Sequence, residues 1–278
     1  MKHIGTRPKK RFGQHFLVDQ NIVRKILDVS EVERGDVVLE IGPGLGVLTE
    51  RLLQAGAKVF AVEIDRRLCE ALKERFPGEQ GLEVINKDIL DIPLSSFFEK
   101  AGKKIKVVSN LPYNISGAIL AKFIDERNAL SDMTLMLQKE VAKRLIAKPS
   151  TKDYGILSVL AQAFFETSYM FEVSPMCFKP PPKVMSGVVR LKVLSSPLID
   201  VLKEEFFKKV VKTSFGKRRK TIFNCLKGLG VGDKALREIL SDCKIDPKRR
   251  GETLGLAEFR VLANALTKEE GSVDLNQE

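Results

Sequence analysis

The stretch NLPYNIS, at 110–116, could orient a substrate without an acid, a base or a metal ligand. The amide oxygen of Asn110 and a backbone carbonyl near Leu111 can accept hydrogen bonds, and Pro112 restricts the direction of that carbonyl. Tyr113 offers a flat face on which a base can stack. Fixed acceptors suit a neutral amine, because the direction of its lone pair matters more than the removal of a proton. The alternative is a strand-to-helix turn with a packed tyrosine.

A glycine-rich segment, EIGPGLGVLT at 40–49, ends an apolar run and opens a helix-like one. Gly42, Gly44 and Gly46 permit a tight turn and a close approach of the backbone to a ligand. The spacing G-x-G-x-G differs from the G-x-G-x-x-G of dinucleotide folds, and Pro43 within the turn makes a pyrophosphate site less favoured. A purely structural turn remains the alternative.

Two acidic residues end the next two apolar runs. Glu63 lies 21 residues after Gly42, where a carboxylate can accept hydrogen bonds from both hydroxyls of a ribose. Asp88 could accept a hydrogen bond from an adenine amino group, or it could simply cap the following helix. The carboxyl ends of parallel strands meet at one edge of an open sheet, where ligands bind. We therefore predict a site for an adenosine-type cofactor at this edge.

The elements that would position these residues alternate between apolar runs and helix-like stretches, which is typical of βαβ units. The predicted strands are 36–41, 58–64, 82–88, 105–111 and 133–138. Two further strands, within TSYMFEVS and VMSGVVRLKVL, are joined by so short a link that they are expected to be antiparallel neighbours. The predicted fold class is α/β, with a Rossmann-like sheet that is parallel apart from an antiparallel hairpin.

Near SSPLID, at 195–200, the pattern becomes helical and stays so to about Leu266. We therefore predict a sheet domain with a basic N-terminal arm at 1–195 and a small all-helical domain at 196–268. A polar tail follows at 269–278.

The formal net charge of +11 is concentrated in two segments. Residues 1–25 carry +6 and residues 203–227 carry +7, so the rest of the chain sums to −2. Two basic segments on a near-neutral body favour a polyanionic partner such as nucleic acid over two merely solvated faces.

Several classes of protein are disfavoured. The four cysteines are scattered and the two histidines lie near one terminus, so neither a zinc site, a disulfide framework nor a Ser-His-Asp mechanism is expected. No apolar run is long enough to span a membrane and no secretory signal is evident, so a cytoplasmic location is expected.

Taken in this order, the motifs resemble those of the ribosomal RNA adenine dimethyltransferases of the KsgA type, over nearly the whole chain. The matching segments are KKRFGQHFL, EIGPGLGVLT, NLPYNIS, MLQKEVAKRL, YGILSV, FKPPPKVMS, FGKRRKTI and RRGETLGLAEF. The resemblance implies a class I methyltransferase fold that uses S-adenosylmethionine. It further implies transfer of two methyl groups to N6 of each of two adjacent adenines near the 3′ end of small-subunit rRNA. A monomer without a metal is expected.

The resemblance also implies roles for individual residues. The cofactor contacts would be His15, Leu17, Gly42, Gly44, Glu63, Asp88 and Asn110. The target adenine would meet Asn110, Leu111, Pro112, Tyr113 and Phe178. Phe178 would cover the face opposite Tyr113, although a core phenylalanine in a proline-rich turn is the alternative. RNA phosphates would meet Lys9, Lys10, Arg11, Lys217, Arg218, Arg219 and Lys220.

The chain departs from the family pattern at one position. The family usually shows Gln-Asn-Phe-Leu where this chain has Gln14-His15-Phe16-Leu17. A histidine can still donate a hydrogen bond, but its contact then differs and can depend on pH.

Three other functions share parts of the pattern. A large-subunit rRNA adenine methyltransferase of the antibiotic-resistance type has a similar cofactor loop, but NLPYNIS, FKPPPKV and RRK favour the small-subunit enzyme. Enzymes acting on DNA adenine or protein glutamine usually keep a proline where this chain has Leu111. A ribosome-assembly or RNA-binding factor with secondary catalysis would use the same basic segments, although Glu63, Asp88, Asn110 and Tyr113 favour activity.

Overall fold

A computed structural model describes residues 14–197, 199, 202–217 and 219–274. The described chain forms two compact units. The first holds the described residues up to Lys143 together with Glu166–Val193, and the second holds Arg144–Phe165 together with the described residues from Leu194 onward. The segment 144–165, which we assigned to the sheet domain, thus groups with the second unit. The domain bounds stay a prediction.

The first unit is built on a mostly parallel sheet. The strands are β1 (Phe16–Leu17), β2 (Val37–Ile41), β3 (Lys58–Glu63), β4 (Leu82–Asn86), β5 (Ile105–Asn110), β6 (Leu130–Gln138), β7 (Phe165–Val173), β8 (Phe178–Lys179) and β9 (Ser186–Val193). Seven of them form one sheet in the order β4-β3-β2-β5-β6-β9-β7. The first five pair in parallel, and β9 runs antiparallel to β6. The predicted fold class is confirmed.

Helices follow the strands as the alternating pattern predicts. In the first unit they are α1 (Gln20–Ser30), α2 (Val47–Gln54), α3 (Arg66–Arg75), α4 (Ser95–Ala101) and α5 (Ser116–Asp125), and α6 (Lys139–Leu145) follows β6. The α1 helix begins where the Asp19 carboxylate accepts hydrogen bonds from the backbone N–H groups of Asn21 and Ile22. Its Val23 and Ile26 side chains are buried in the same apolar cluster as residues of β2 and β3.

A two-stranded sheet, which the sequence analysis did not anticipate, ties the segment before α1 to the loop before β9. The strands β1 and β8 pair antiparallel, with Phe16 opposite Lys179 and Leu17 opposite Phe178. Beyond β1, the backbone N–H of Val18 donates to the carbonyl of Cys177 at 2.9 Å. The predicted basic arm is therefore anchored from residue 16 onward, and its first 13 residues lie outside the described chain.

The second unit contains the predicted helices. They are α7 (Ile156–Phe164), α8 (Glu204–Phe215), α9 (Ile222–Leu226), α10 (Asp233–Asp242) and α11 (Leu256–Asp274). Phe207, Leu236 and Phe259 are fully buried and supply its core. The last helix continues to Asp274, beyond the predicted end of the helical domain at residue 268. No helix in the described ranges is long and apolar enough to cross a membrane.

Candidate active site

A cleft opens at the carboxyl ends of β2, β3 and β5, where an open α/β sheet binds ligands. It encloses about 490 Å³, including the solvent at its mouth. Four segments line it: residues 14–16, the turn with Gly42 and Gly44, the stretch from Glu63 to Leu68, and residues 110–113. The structure thus brings together the glycine turn, the strand-end acid and the Asn-Leu-Pro-Tyr motif, as the sequence predicts.

The turn after β2 depends on glycine for its shape. Gly42, Gly44 and Gly46 all have positive φ, at 67°, 58° and 75°, a region that L side chains rarely adopt. A Cβ atom at Gly44 would lie only 2.9 Å from Cδ1 of Phe16. The missing side chain therefore lets Phe16 pack on the turn while the backbone faces the cleft.

Glu63 ends β3 with a carboxylate that is buried and faces the cleft. Burial raises the pKa of this carboxyl, while hydrogen bonds from the backbone N–H groups of Asp65, Gly44 and Ile64 oppose the rise. The bond from Asp65 measures 2.9 Å. Because backbone donors hold the carboxylate in place, it can present a fixed acceptor to a hydroxyl pair.

Beside Glu63, two apolar side chains that the sequence analysis missed complete the wall. Ile64 is 47% exposed although it follows a buried strand, and Leu68 projects into the same cleft. A flat heteroaromatic ring could rest on this wall. In the sequence, an isoleucine directly after the strand-end acid Glu63 is the signal that could have found this wall.

A narrow extension of the cleft reaches Leu17 and Glu40, so the predicted contact residue Leu17 belongs to the same region. Glu40 is buried, and the hydroxyl of Thr49 donates to its Oε2 at 2.6 Å. Burial raises the pKa of Glu40 to about 8, and the nearby Glu63 contributes in the same direction. Glu40 was not among the predicted site residues, although an acid inside the apolar run VVLEI is unusual.

The side chain of Asn110 is oriented by the N-terminal segment. Its Nδ2 donates to the backbone carbonyl of His15 at 3.2 Å. A carbonyl can only accept, so the amide nitrogen must face it and the amide oxygen must point the other way. That oxygen is buried and has no hydrogen-bond partner within the part of the chain that the structure describes. An unpaired buried acceptor is costly in a folded protein, and one that lines a cleft is a candidate ligand contact.

The ring of Tyr113 is held by two neighbours. Its hydroxyl and the Oγ of Ser186 are hydrogen bonded at 2.5 Å, and its face stacks with the imidazole of His15 at a centroid distance of 5.8 Å. The Nδ1 of His15 lies 2.8 Å from the carbonyl of Pro180, to which it donates. The departure from the family pattern at residue 15 thus places an aromatic ring beside Tyr113.

Two predicted site residues lie away from the cleft lining. Asp88 caps the helical turn at 89–91, where its Oδ1 accepts from the backbone N–H of Leu90 at 3.0 Å. Phe178 is only 2% exposed, because it packs into the core cluster that includes Val23 and Ile26. This burial agrees with the alternative of a core phenylalanine, and the contact opposite Tyr113 stays a prediction.

The predicted RNA contacts are only partly described. Lys217, Arg219 and Lys220 are exposed after α8. The other four residues, Lys9, Lys10, Arg11 and Arg218, lie outside the described residues.

Comparison with known sequences supports the resemblance stated above. The profile of the family described as ribosomal RNA adenine dimethylase matches residues 5–266. The ribosomal RNA small subunit methyltransferase A of Geobacter metallireducens is 45% identical over 269 residues, covering 96% of this chain and 98% of that protein. The protein of the same name from Clostridioides difficile is 44% identical and covers 92% and 90%.

Solved structures show the same architecture. A dimethyladenosine transferase from Plasmodium falciparum is 26% identical with a TM-score of 0.79, covering 92% of this chain and 98% of that one. The 23S rRNA methyltransferase ErmE is also 26% identical, with a TM-score of 0.69 and coverage of 91% and 99%. From the family match and the full-length relatives, the chain belongs to the ribosomal RNA adenine dimethylase family.

Proposed function

We propose that the protein transfers methyl groups from S-adenosylmethionine to N6 of two adjacent adenines near the 3′ end of small-subunit (16S) rRNA, which yields N6,N6-dimethyladenosine. The observation that carries the proposal is the buried, unpaired Oδ1 of Asn110, a residue that lines the cleft. The family match and the names of the full-length relatives support it. A role in small-subunit biogenesis follows from the nature of this substrate.

The donor set of the cleft fits S-adenosylmethionine. The fixed carboxylate of Glu63 suits the two ribose hydroxyls, and Ile64 and Leu68 suit the adenine ring. The backbone of the positive-φ turn at Gly42 and Gly44 lines the cleft. When bound there, the cofactor supplies an electrophilic methyl group.

Three further predicted cofactor contacts belong to the same proposal. His15 lines the cleft and Leu17 lines its narrow extension. Asp88 follows β4, the strand next to β3, and its carboxylate can accept a second hydrogen bond besides the one from Leu90.

Asn110 orients the substrate amine. Its Oδ1 accepts a hydrogen bond from the N6 amino group, which favours a pyramidal nitrogen with its lone pair directed into the cleft. Leu111 and Pro112 hold this acceptor in place, since the backbone N–H of Leu111 donates to the carbonyl of Met136 at 3.1 Å. The lone pair of an adenine amine is delocalised into the ring, so orientation matters more than removal of a proton.

The RNA would be held by stacking and by phosphate contacts. Tyr113 provides a stacking face for the target adenine, a contact worth about 1–3 kcal/mol per base. An adenine in a single-stranded loop needs little unstacking before it enters a cleft. The basic segments at 9–11 and 217–220 would meet phosphates. We further propose that the protein acts as a cytoplasmic monomer on the immature small subunit.

A large-subunit substrate is the second candidate, since the structure of ErmE, a 23S rRNA methyltransferase, is also similar. Incubation of the purified protein with labelled S-adenosylmethionine and either unmethylated small or large subunits separates the two. We expect label in the small-subunit RNA. Label only in the large-subunit RNA would favour the second candidate, and binding without label would indicate an assembly factor.

A further inference from the structure

Ser186 is hydrogen bonded to the hydroxyl of Tyr113. Ser186 is the first residue of β9 and is 0% exposed, whereas Tyr113 lies in the loop after β5. The two hydroxyls are hydrogen bonded at 2.5 Å although 73 residues separate them in sequence. Burial raises the pKa of the Tyr113 phenol, so this hydroxyl remains a neutral donor and acceptor at neutral pH.

A bond at the para position fixes the ring more strictly than packing alone. A tyrosine ring turns about two side-chain torsions. An anchored hydroxyl restrains χ1 and therefore the direction of the long axis of the ring, whereas rotation about χ2 leaves the hydroxyl oxygen in place. The ring face is restrained as well, since it stacks with His15, whose Nδ1 donates to the carbonyl of Pro180. The segment 180–186 thus fixes Tyr113 directly through Ser186 and indirectly through His15.

We propose that Ser186 is a positioning residue that fixes the position and long axis of the Tyr113 ring for stacking of the target adenine. The inference rests on the proposed function. Ser186 is not in the cleft lining and has no contact with reacting atoms; it acts through Tyr113. The orientation matters because the stacked base carries the N6 amine that must meet Oδ1 of Asn110, and small errors in position cost much of the rate.

Kinetics of Ser186→Ala would test this role. We expect kcat to fall by about threefold to tenfold, as for loss of one hydrogen bond at the transition state. The Kd for RNA should stay within about twofold of the wild-type value, because phosphate contacts dominate RNA affinity. The Kd for S-adenosylmethionine should also stay within about twofold, because Glu63 is unchanged. Tyr113→Phe should give the same loss, and the double variant should lose no more than either single variant. An unchanged kcat, or losses that multiply in the double variant, would overturn the proposal.

Ser30→Ala is the matched control. Ser30 is buried in α1, and its hydroxyl donates to the carbonyl of Leu27 at 2.8 Å, outside the cleft lining. The Ser30→Ala variant should lose about as much thermal stability as Ser186→Ala and keep the kcat of the wild type. If the wild-type protein itself transfers no methyl group to small-subunit RNA, the proposed function fails; if wild type and Ser186→Ala are equally active, only the present inference fails.

A spectroscopic readout does not depend on activity. The chain has two histidines, and in a His3→Gln background the imidazole proton signals belong to His15 alone. Stacking on Tyr113 should shift these signals by the ring current. We expect Ser186→Ala to move them toward the values of an unstacked imidazole, while Ser30→Ala leaves them in place. Signals that stay unchanged in Ser186→Ala would overturn the proposal.

Discussion

At the scale of single residues, the proposed chemistry depends on which way one amide points. The carbonyl of His15 requires the nitrogen of the Asn110 amide, which leaves the oxygen for a substrate amine. The proposed transfer needs no side chain with a shifted pKa beside the reacting nitrogen.

Asn110→Ala should therefore separate binding from transfer. We expect methyl transfer to fall by about 100-fold or more, as when one preorganised polar group is removed from an active site. RNA affinity should stay within about twofold, because phosphates dominate it. Asn114→Ala, at an exposed position in the same loop, is the control. RNA binding weakened as much as the rate would contradict the role given to Asn110.

Glu40 should make stability depend on pH. Its folded-state pKa of about 8 lies above the ordinary carboxyl value of 4.5, so the stability that the protonated carboxyl contributes is fully present below pH 4.5 and is lost as the pH rises to about 8. Glu40→Gln, which can still accept from Thr49, should stabilise the protein by about 4 kcal/mol near pH 7.5 and by about 1 kcal/mol at pH 5. Melting temperatures measured across this range check the sign. Parallel curves for the two proteins would count against a protonated Glu40.

At the scale of elements, the apolar runs and helix-like stretches of the sequence were enough to predict the parallel sheet and its strand ends. Glu63 and Asn110 meet at one edge because parallel strands share a direction. The pairing of β1 with β8 was not predictable from local pattern, since each strand has two residues and they lie far apart in the chain. The resemblance implies that Phe178 contacts the target adenine. In the structure, the pairing of β1 with β8 holds this residue in the core.

The glycine turn after β2 gives a test at this scale. Gly44→Ala should strain a positive φ by about 1–2 kcal/mol and displace Phe16 from the turn. We expect the affinity for S-adenosylmethionine to fall by about tenfold or more, measured by calorimetry.

Gly102→Ala is the matched control for that substitution. Gly102 also has a positive φ, of 66°, but no atom lies within 4 Å of its added Cβ. It should cost similar stability and leave cofactor affinity unchanged. Equal losses of cofactor affinity in both variants would attribute the effect to general destabilisation.

At the scale of the whole molecule, the net charge comes from two segments of the sequence. The two basic segments carry more than the net charge of +11, while the residues of the cleft are mostly neutral or acidic. Composition alone could therefore predict a polyanionic partner. It could not identify the target base, because that depends on residues brought together by the fold.

Arg219→Ala should weaken RNA binding and reduce its dependence on salt. If Arg219 neutralises one phosphate, the slope of log K against log salt should become shallower by about 0.9 or less. The exposed Lys104 precedes β5, at the amino end of that strand, and Lys104→Ala should leave the slope unchanged. A slope that does not change in Arg219→Ala would remove this residue from the RNA interface.

The most direct measurement is the position of the modified nucleotides. Small subunits that lack the modification are incubated with the protein and S-adenosylmethionine, and their RNA is digested and mapped by mass spectrometry. We expect N6,N6-dimethyladenosine at two adjacent positions near the 3′ end, and far less of it after the same incubation with Asn110→Ala. Methylation at other positions, or at an atom other than N6, would contradict the function proposed for this cleft.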